Sequence, residues 1–324
     1  MAFQLSNDSI AGEACGAVML IGFGGPTEPA EIRPFLDRVL AGRPVPRDRY
    51  EAVVHHYEVL GGRSPYNDLT ARQALALREM LDRAGAGVPV VVGLRNAPPF
   101  IEDAIRDLAA RGVTRALGLV LAAHRCEASW ERYQADVEGA RARIGAAAPA
   151  IVYPPPWHAN PRFIAAVADR TRDAIARLAP AGREGAELIF TAHSIPLAMA
   201  ARAPYVAQLE VSAALTAAAL GRARWRVGYQ SRSGSPRDPW LEPDVAAILR
   251  ELKGRAAVVV PIGFLCDHVE VLYDLDVEAA AAARDAGVTM VRAATVGDHS
   301  RFIDMMAAIA RPYLSPPPPL AHQG

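Results

Sequence analysis

Glu270, Asp274 and Glu278 stand four residues apart along the chain. If that stretch is helical, the spacing gathers three carboxylates into one slowly drifting row. No lysine or arginine lies between Asp267 and Glu278 to neutralise them. Such a row suits the passage of a cation or a proton. A second chemical group is His193, which directly follows a Leu-Ile-Phe-Thr-Ala run. Imidazole changes charge near neutral pH and can act as a general base. Each feature also has a purely structural account. Asp267-x-x-Glu270 has capping-box character, first-turn acids favour the helix dipole, and a lone histidine at a strand end is often a satisfied core residue. Ser194 beside His193 lacks the Gly-x-Ser-x-Gly elbow of a serine nucleophile. The adjacent His55 and His56 point in different directions on a helix and make a poor metal clamp.

The elements that position these groups follow from the apolar pattern. Residues 258–262 form a short apolar run, as a buried strand requires. The run turns at Gly263, and Asp267 is placed to cap the following helix. Earlier in the chain, strands at 16–23, 88–94 and 115–122 alternate with helices at 28–40, 47–60, 68–84, 100–111 and 129–144. This alternation indicates parallel βαβ units. A proline cluster at 154–156 suggests a junction. The pattern then resumes, with helices at 161–178, 205–220, 243–252 and 300–311 and strands at 186–191 and 225–230 preceding the run at 258. The expected architecture is therefore α/β, with two Rossmann-like domains that each carry a parallel sheet flanked by helices. The expected division is 1–150 and 151–314, with 315–324, rich in proline, as a disordered or extended tail. Ligands in such sheets bind beyond the strand C-termini. That rule points at Phe23, Arg95-Asn96, His124, His193 and Glu270, and at a cleft between the halves.

Composition narrows the function. Lys+Arg and Asp+Glu balance at 35 each, which argues against nucleic acid as the main partner. The three cysteines are scattered, so no zinc ribbon or iron–sulfur cluster is signalled, and the sparse count suits a reducing cytoplasm. Apolar runs are too short to span a bilayer, the first residues lack the pattern of a signal peptide, and a monomer is expected. The glycine-rich turn Gly22-x-Gly24-Gly25-Pro26 invites a dinucleotide reading. It lacks the third glycine, and Pro26 removes an N–H that a phosphate would use. A tight turn, or a wall that lets a flat ligand approach the backbone, are the other readings.

Five segments in order resemble the ferrochelatase family: Gly61-Gly-Arg-Ser-Pro65, Pro99-Phe-Ile-Glu-Asp-Ala104, Ala192-His-Ser-Ile-Pro196, Val227-Gly-Tyr-Gln-Ser231 with Asp238-Pro-Trp-Leu241, and Pro261 to Asp274. The resemblance implies insertion of ferrous iron, as a substrate, into a porphyrin held in the interdomain cleft. His193 would accept pyrrole protons, with Glu270 beside or opposite it. His193, Glu270, Asp274 and Glu278 would handle the metal. Ser64 and Tyr133 match propionate contacts, and His124 matches a family histidine. His56 stands where some members carry an arginine that pairs with a propionate, and Asn96 replaces a family histidine near the metal route. Arg43 and Arg63 are further candidates for carboxylate pairing on charge alone. Phe23 replaces a tyrosine of bacillus-type members, so it can stack on the ring or wall it but cannot ligate iron. The Phe-Gly-Gly-Pro form resembles the actinobacterial branch and implies coproporphyrin III as substrate, with protoporphyrin IX as the alternative. No C-terminal cysteine cluster is present, so no iron–sulfur cofactor or other prosthetic group is expected. A non-catalytic tetrapyrrole or metal carrier and a nucleotide-binding oxidoreductase are the competing classes.

Overall fold

A computed structural model describes residues 13–42, 45–233 and 238–314. The first half runs β1 (Ala17–Gly22), α1 (Ile32–Leu40), α2 (Arg47–Val59), α3 (Tyr66–Arg83), β2 (Val90–Leu94), α4 (Ile101–Ala110), β3 (Arg115–Val120), α5 (Arg132–Ile144) and β4 (Ala150–Val152). The second half runs α6 (Pro161–Ala176), a short α7 (Pro180–Arg183), β5 (Glu187–His193), a short α8 (Leu197–Ala200), α9 (Tyr205–Ala219), β6 (Trp225–Gln230), α10 (Val245–Glu251), β7 (Ala256–Val260), α11 (Val269–Tyr273), α12 (Ala280–Asp285), β8 (Thr289–Arg292) and α13 (Ser300–Leu314).

The strands form two four-stranded sheets, ordered β2-β1-β3-β4 and β6-β5-β7-β8. All pairs are parallel. The central strands are buried on both faces, as their continuous apolar runs require. In each sheet the strand order reverses beside the first strand, β1 or β5, and ligands of open α/β sheets collect beyond that switch point. The two switch points carry Phe23 and His193.

Three features depart from the sequence reading. Residues 150–152, which straddle the expected division at 150, form β4 and pair with β3 in the first sheet. The last helix, α13, returns to the first half, where the Cys15 N–H donates to the Tyr313 carbonyl at 2.8 Å. Phe302 of α13 packs against Trp157 and Phe163, and one continuous apolar core spans residues of both halves. Burying each of these aromatic side chains contributes roughly 2–3 kcal/mol. Third, the N-cap of the helix after β7 is His268, one residue beyond Asp267.

Helix α2 leans over from the first half and touches the second. His56 stacks on Tyr273 with ring centroids 3.7 Å apart, and Arg49 Nη2 donates to the Arg232 carbonyl at 2.9 Å. Among the described residues no helix is long and apolar enough to cross a membrane. Residues 315–324 lie outside the described residues, as does Arg43.

Candidate active site

His193 is the last residue of β5 rather than the residue after it. Its position is fixed by pairing with Gln230 of β6 and by the Tyr205 hydroxyl, which donates to its carbonyl at 2.9 Å. The ring Nδ1 lies 2.5 Å from the Ser194 carbonyl. A carbonyl only accepts, so Nδ1 carries the hydrogen and a neutral ring presents its lone pair at Nε2. That nitrogen stands 3.5 Å from Glu270 Oε1, with both side chains partly open to solvent. Burial alone would lower the His193 pKa, but the Glu270 carboxylate and the Ser194 carbonyl outweigh it and the net direction is upward. Burial would raise the Glu270 pKa, but His193, with help from His268, turns it downward.

The helix that carries Glu270 starts differently from the sequence reading. Its N-cap is His268, whose Nδ1 accepts the Glu270 N–H at 3.2 Å. Asp267 instead meets Arg292 at 3.2 Å. Arg292 also forks onto Asp276, with bonds of 2.7 and 2.9 Å. The cation that the local sequence lacks therefore arrives from β8. It reaches Asp267 and Asp276 and leaves the Glu270–Asp274–Glu278 row to itself.

Residues 274–279 widen into a π turn between α11 and α12. A regular helix would rotate positions four apart progressively off one line. The wider i→i+5 turn rotates them back, which keeps the acidic row aligned. Asp274 is half-buried and accepts a hydrogen bond from Ser231 Oγ. Ser231 itself occupies the left-handed region at φ 61°. Burial, with the Glu270 and Glu278 carboxylates nearby, pushes the Asp274 carboxyl up to about 7 against the opposing bond from Ser231. Glu278 stands exposed at the far end of the row. Among the described residues no three His, Cys, Asp or Glu side chains are gathered closely enough to hold a metal ion. His193, Glu270, Asp274 and Glu278 thus make a line rather than a cage.

The facing wall belongs to the first half. Phe23 is half-buried and meets Phe35 edge-on at 6.0 Å, and Phe35 meets Tyr57 at 6.1 Å. Tyr57 and Tyr133, both buried, feel the Glu270 charge; burial, chiefly, and that charge raise both phenols. The other expected contacts are dispersed. His56 is engaged with Tyr273. Arg63 is exposed and paired with Asp68 at 2.7 Å. Ser64 is only 2% exposed and packs under Gly25. His124 is 3% exposed behind Tyr205, with Nε2 at 3.0 Å from Ser212 Oγ and no partner for Nδ1. Asn96 is buried and its side-chain nitrogen is unpaired.

The glycine-rich turn is committed to the protein itself. The Phe23 N–H donates to Tyr66 at 3.0 Å and the Gly25 N–H to Asn67 at 2.9 Å. The Gly22 and Phe23 carbonyls accept from Arg95 and Asn96. Two of the N–H donors that a dinucleotide phosphate would need are spent, so the tight-turn reading holds. Sequence reasoning passed over Tyr205, Gln230, Ser231, His268 and Arg292. Gln230, Ser231 and His268 lie inside the quoted motifs and were available as signals; Arg292 has no local signal.

Solved chelatase structures share this fold. The sirohydrochlorin chelatase SirB from Bacillus subtilis subspecies spizizenii, in complex with cobalt, superimposes with a TM-score of 0.53 at 15% identity, covering 92% of this chain and 94% of that one. CbiX, the terminal enzyme of siroheme biosynthesis in denitrifying bacteria, gives 0.52 at 17% identity, covering 92% of this chain and all of that one. They define the fold as the two-domain chelatase fold. The ferrochelatase family model matches residues 16–314. A coproporphyrin III ferrochelatase of Nocardia farcinica is 41% identical, covering 93% of this chain and 89% of that protein. One from Mycolicibacterium smegmatis is 39% identical over 95% and 92%, and a ferrochelatase of Rhodopirellula baltica is 38% identical over 90% and 84%. The chain belongs to the ferrochelatase family, and is a metal chelatase, a lyase.

Proposed function

We propose that this chain inserts ferrous iron into coproporphyrin III to give coproheme in haem synthesis. The carrying observation is the agreement of relatives bearing that name across nine-tenths of the chain, joined to the His193–Glu270 contact. Metal insertion releases two pyrrole protons as the cation enters. Neutral His193 takes one proton at Nε2, the Glu270 carboxylate stabilises the imidazolium that results, and the second proton leaves by way of the Glu270–Asp274 carboxylates to solvent. Asp274 and Glu278 continue the path outward, where oxygen ligands replace metal-bound water without trapping the cation. Phe23 walls the opposite face of the ring. His56, Arg63, Ser64, Tyr133 and Arg43 are the candidates for the ring carboxylates, and His124 is a further substrate-binding candidate; Ser64, His124 and Tyr133 are buried.

In this reading iron is substrate, no prosthetic group is resident, and the protein acts as a cytoplasmic monomer. Metallation with anaerobic ferrous iron, followed by absorbance with coproporphyrin III and protoporphyrin IX in parallel, tests it. Higher kcat/KM with the tetracarboxylate is expected; preference for the divinyl porphyrin overturns the substrate assignment.

A further inference from the structure

Glu270 is held in an unusual way. The Nδ1 of His268 accepts its backbone N–H at 3.2 Å. The Nε2 of Gln230 donates to its backbone carbonyl at 2.5 Å. Both main-chain groups of one residue are therefore gripped by side chains, while its own carboxylate is left partly exposed, 3.5 Å from His193.

The two gripping residues are themselves fixed. Gln230 is 2% exposed and is the register partner of His193 on the adjacent strand. Its backbone carbonyl accepts the Ser194 N–H at 2.7 Å. The same strand pair thus sets both the imidazole and the far anchor of the carboxylate. His268 is extended, at φ −156° and ψ −177°. Its ring is packed edge-on against Phe264 and Tyr66, with centroids at 5.1 and 6.0 Å. Because Nδ1 accepts, the ring hydrogen sits on Nε2.

We propose that His268 and Gln230 are positioning residues that clamp the Glu270 peptide, so that only the side-chain torsions of Glu270 remain free to follow the reaction. The proposal rests on the reading of Glu270 as the acidic partner in metal insertion. In it the imidazole of His268 serves as a hydrogen-bond acceptor at a helix start and transfers no proton itself. An asparagine can replace it, because Asn Oδ1 lies the same number of bonds from Cα as His Nδ1 and is a favoured N-cap acceptor.

The test uses the full chain with coproporphyrin III and anaerobic ferrous iron. It compares His268→Ala, His268→Asn, Gln230→Met and Glu270→Gln, with porphyrin binding followed by fluorescence quenching. His268→Ala and Gln230→Met are expected to lower kcat about tenfold, with KM and porphyrin binding within about twofold of wild type. His268→Asn is expected to restore kcat to within about threefold of wild type. The clamp is overturned if His268→Asn is as slow as His268→Ala, since the ring's chemistry would then be required. It is equally overturned if Gln230→Met keeps the wild-type kcat, or if His268→Ala lowers only the unfolding midpoint, as a merely structural cap would. A Glu270→Gln variant that keeps its rate defeats the underlying reading of Glu270 rather than the clamp.

Discussion

Nε2 of His193 and Oε1 of Glu270 meet at 3.5 Å from the ends of neighbouring strands in one sheet, β5 and the segment after β7. The contact makes each group's charge depend on the other. His193→Ala and Glu270→Gln are each expected to lower the metallation kcat at least roughly a hundredfold, with porphyrin binding retained in a quenching titration. An unchanged insertion rate in either variant defeats the assignment.

The same contact has a pH signature. The folded pKa of His193 lies above its ordinary 6.5, so this group's contribution to stability is fully present below 6.5 and fades as pH rises through the folded value. Replacing Glu270 with glutamine removes the carboxylate that lifts it. The His193 titration, followed by NMR of the imidazole carbons, is expected to move to lower pH; an unmoved midpoint contradicts the coupling.

Asp274 acts in the same direction, because its pKa is also raised on folding. Its folded pKa near 7 exceeds the ordinary 3.8. Between those values the folded protein keeps a proton that the unfolded chain has lost, so stability falls as pH rises. Asp274→Asn removes this slope. The variant is expected to gain roughly 1–2 kcal/mol over wild type at pH 8, after allowance for screening, and little at pH 4. Urea unfolding at the two pH values reads the difference.

Arg292 holds Asp267 and Asp276 with a side chain only 13% exposed. Arg292→Met is expected to cost about 2–3 kcal/mol in urea unfolding, because it leaves two carboxylates without their cation. A cost below about 0.5 kcal/mol would show that solvent replaces the guanidinium freely.

Gly25 lies where a Cβ would stand 2.6 Å from the Cβ of Ser64. Gly25→Ala is expected to destabilise by roughly 2 kcal/mol or more through overpacking. Gly42, where a Cβ would meet nothing within 4 Å among the described residues, provides a control in which backbone strain at its φ of 74° acts.

The alternating sheets were legible because buried parallel strands and amphipathic helices leave distinct periods in the sequence. The nearness of His193 and Glu270 was legible because His193 ends β5 and Glu270 stands in the first turn of the helix that follows β7, the neighbouring strand. What escaped was decided by contacts distant in sequence. Asp267 read as a cap, yet Arg292 from β8 draws it away and His268 takes its place. β4 lay across the expected division at 150 because three residues carry almost no periodicity; pairing with β3 makes them a strand of the first sheet. The π turn at 274–279 follows from no propensity visible in Asp-Leu-Asp-Val-Glu-Ala. The burial of Ser64 under Gly25 likewise left no trace in the local sequence.

The return of α13 bears on synthesis at the ribosome. Chain growth delivers the first sheet early, but Phe302, Met305, Met306 and Tyr313, all fully or nearly buried in the common core, emerge last. A nascent chain stalled after α6 therefore exposes the surface of α3 and α6 that α13 later covers, a natural place for a holdase chaperone to bind. Vectorial folding of this protein ends where it began, with the last helix sealing the first-made sheet.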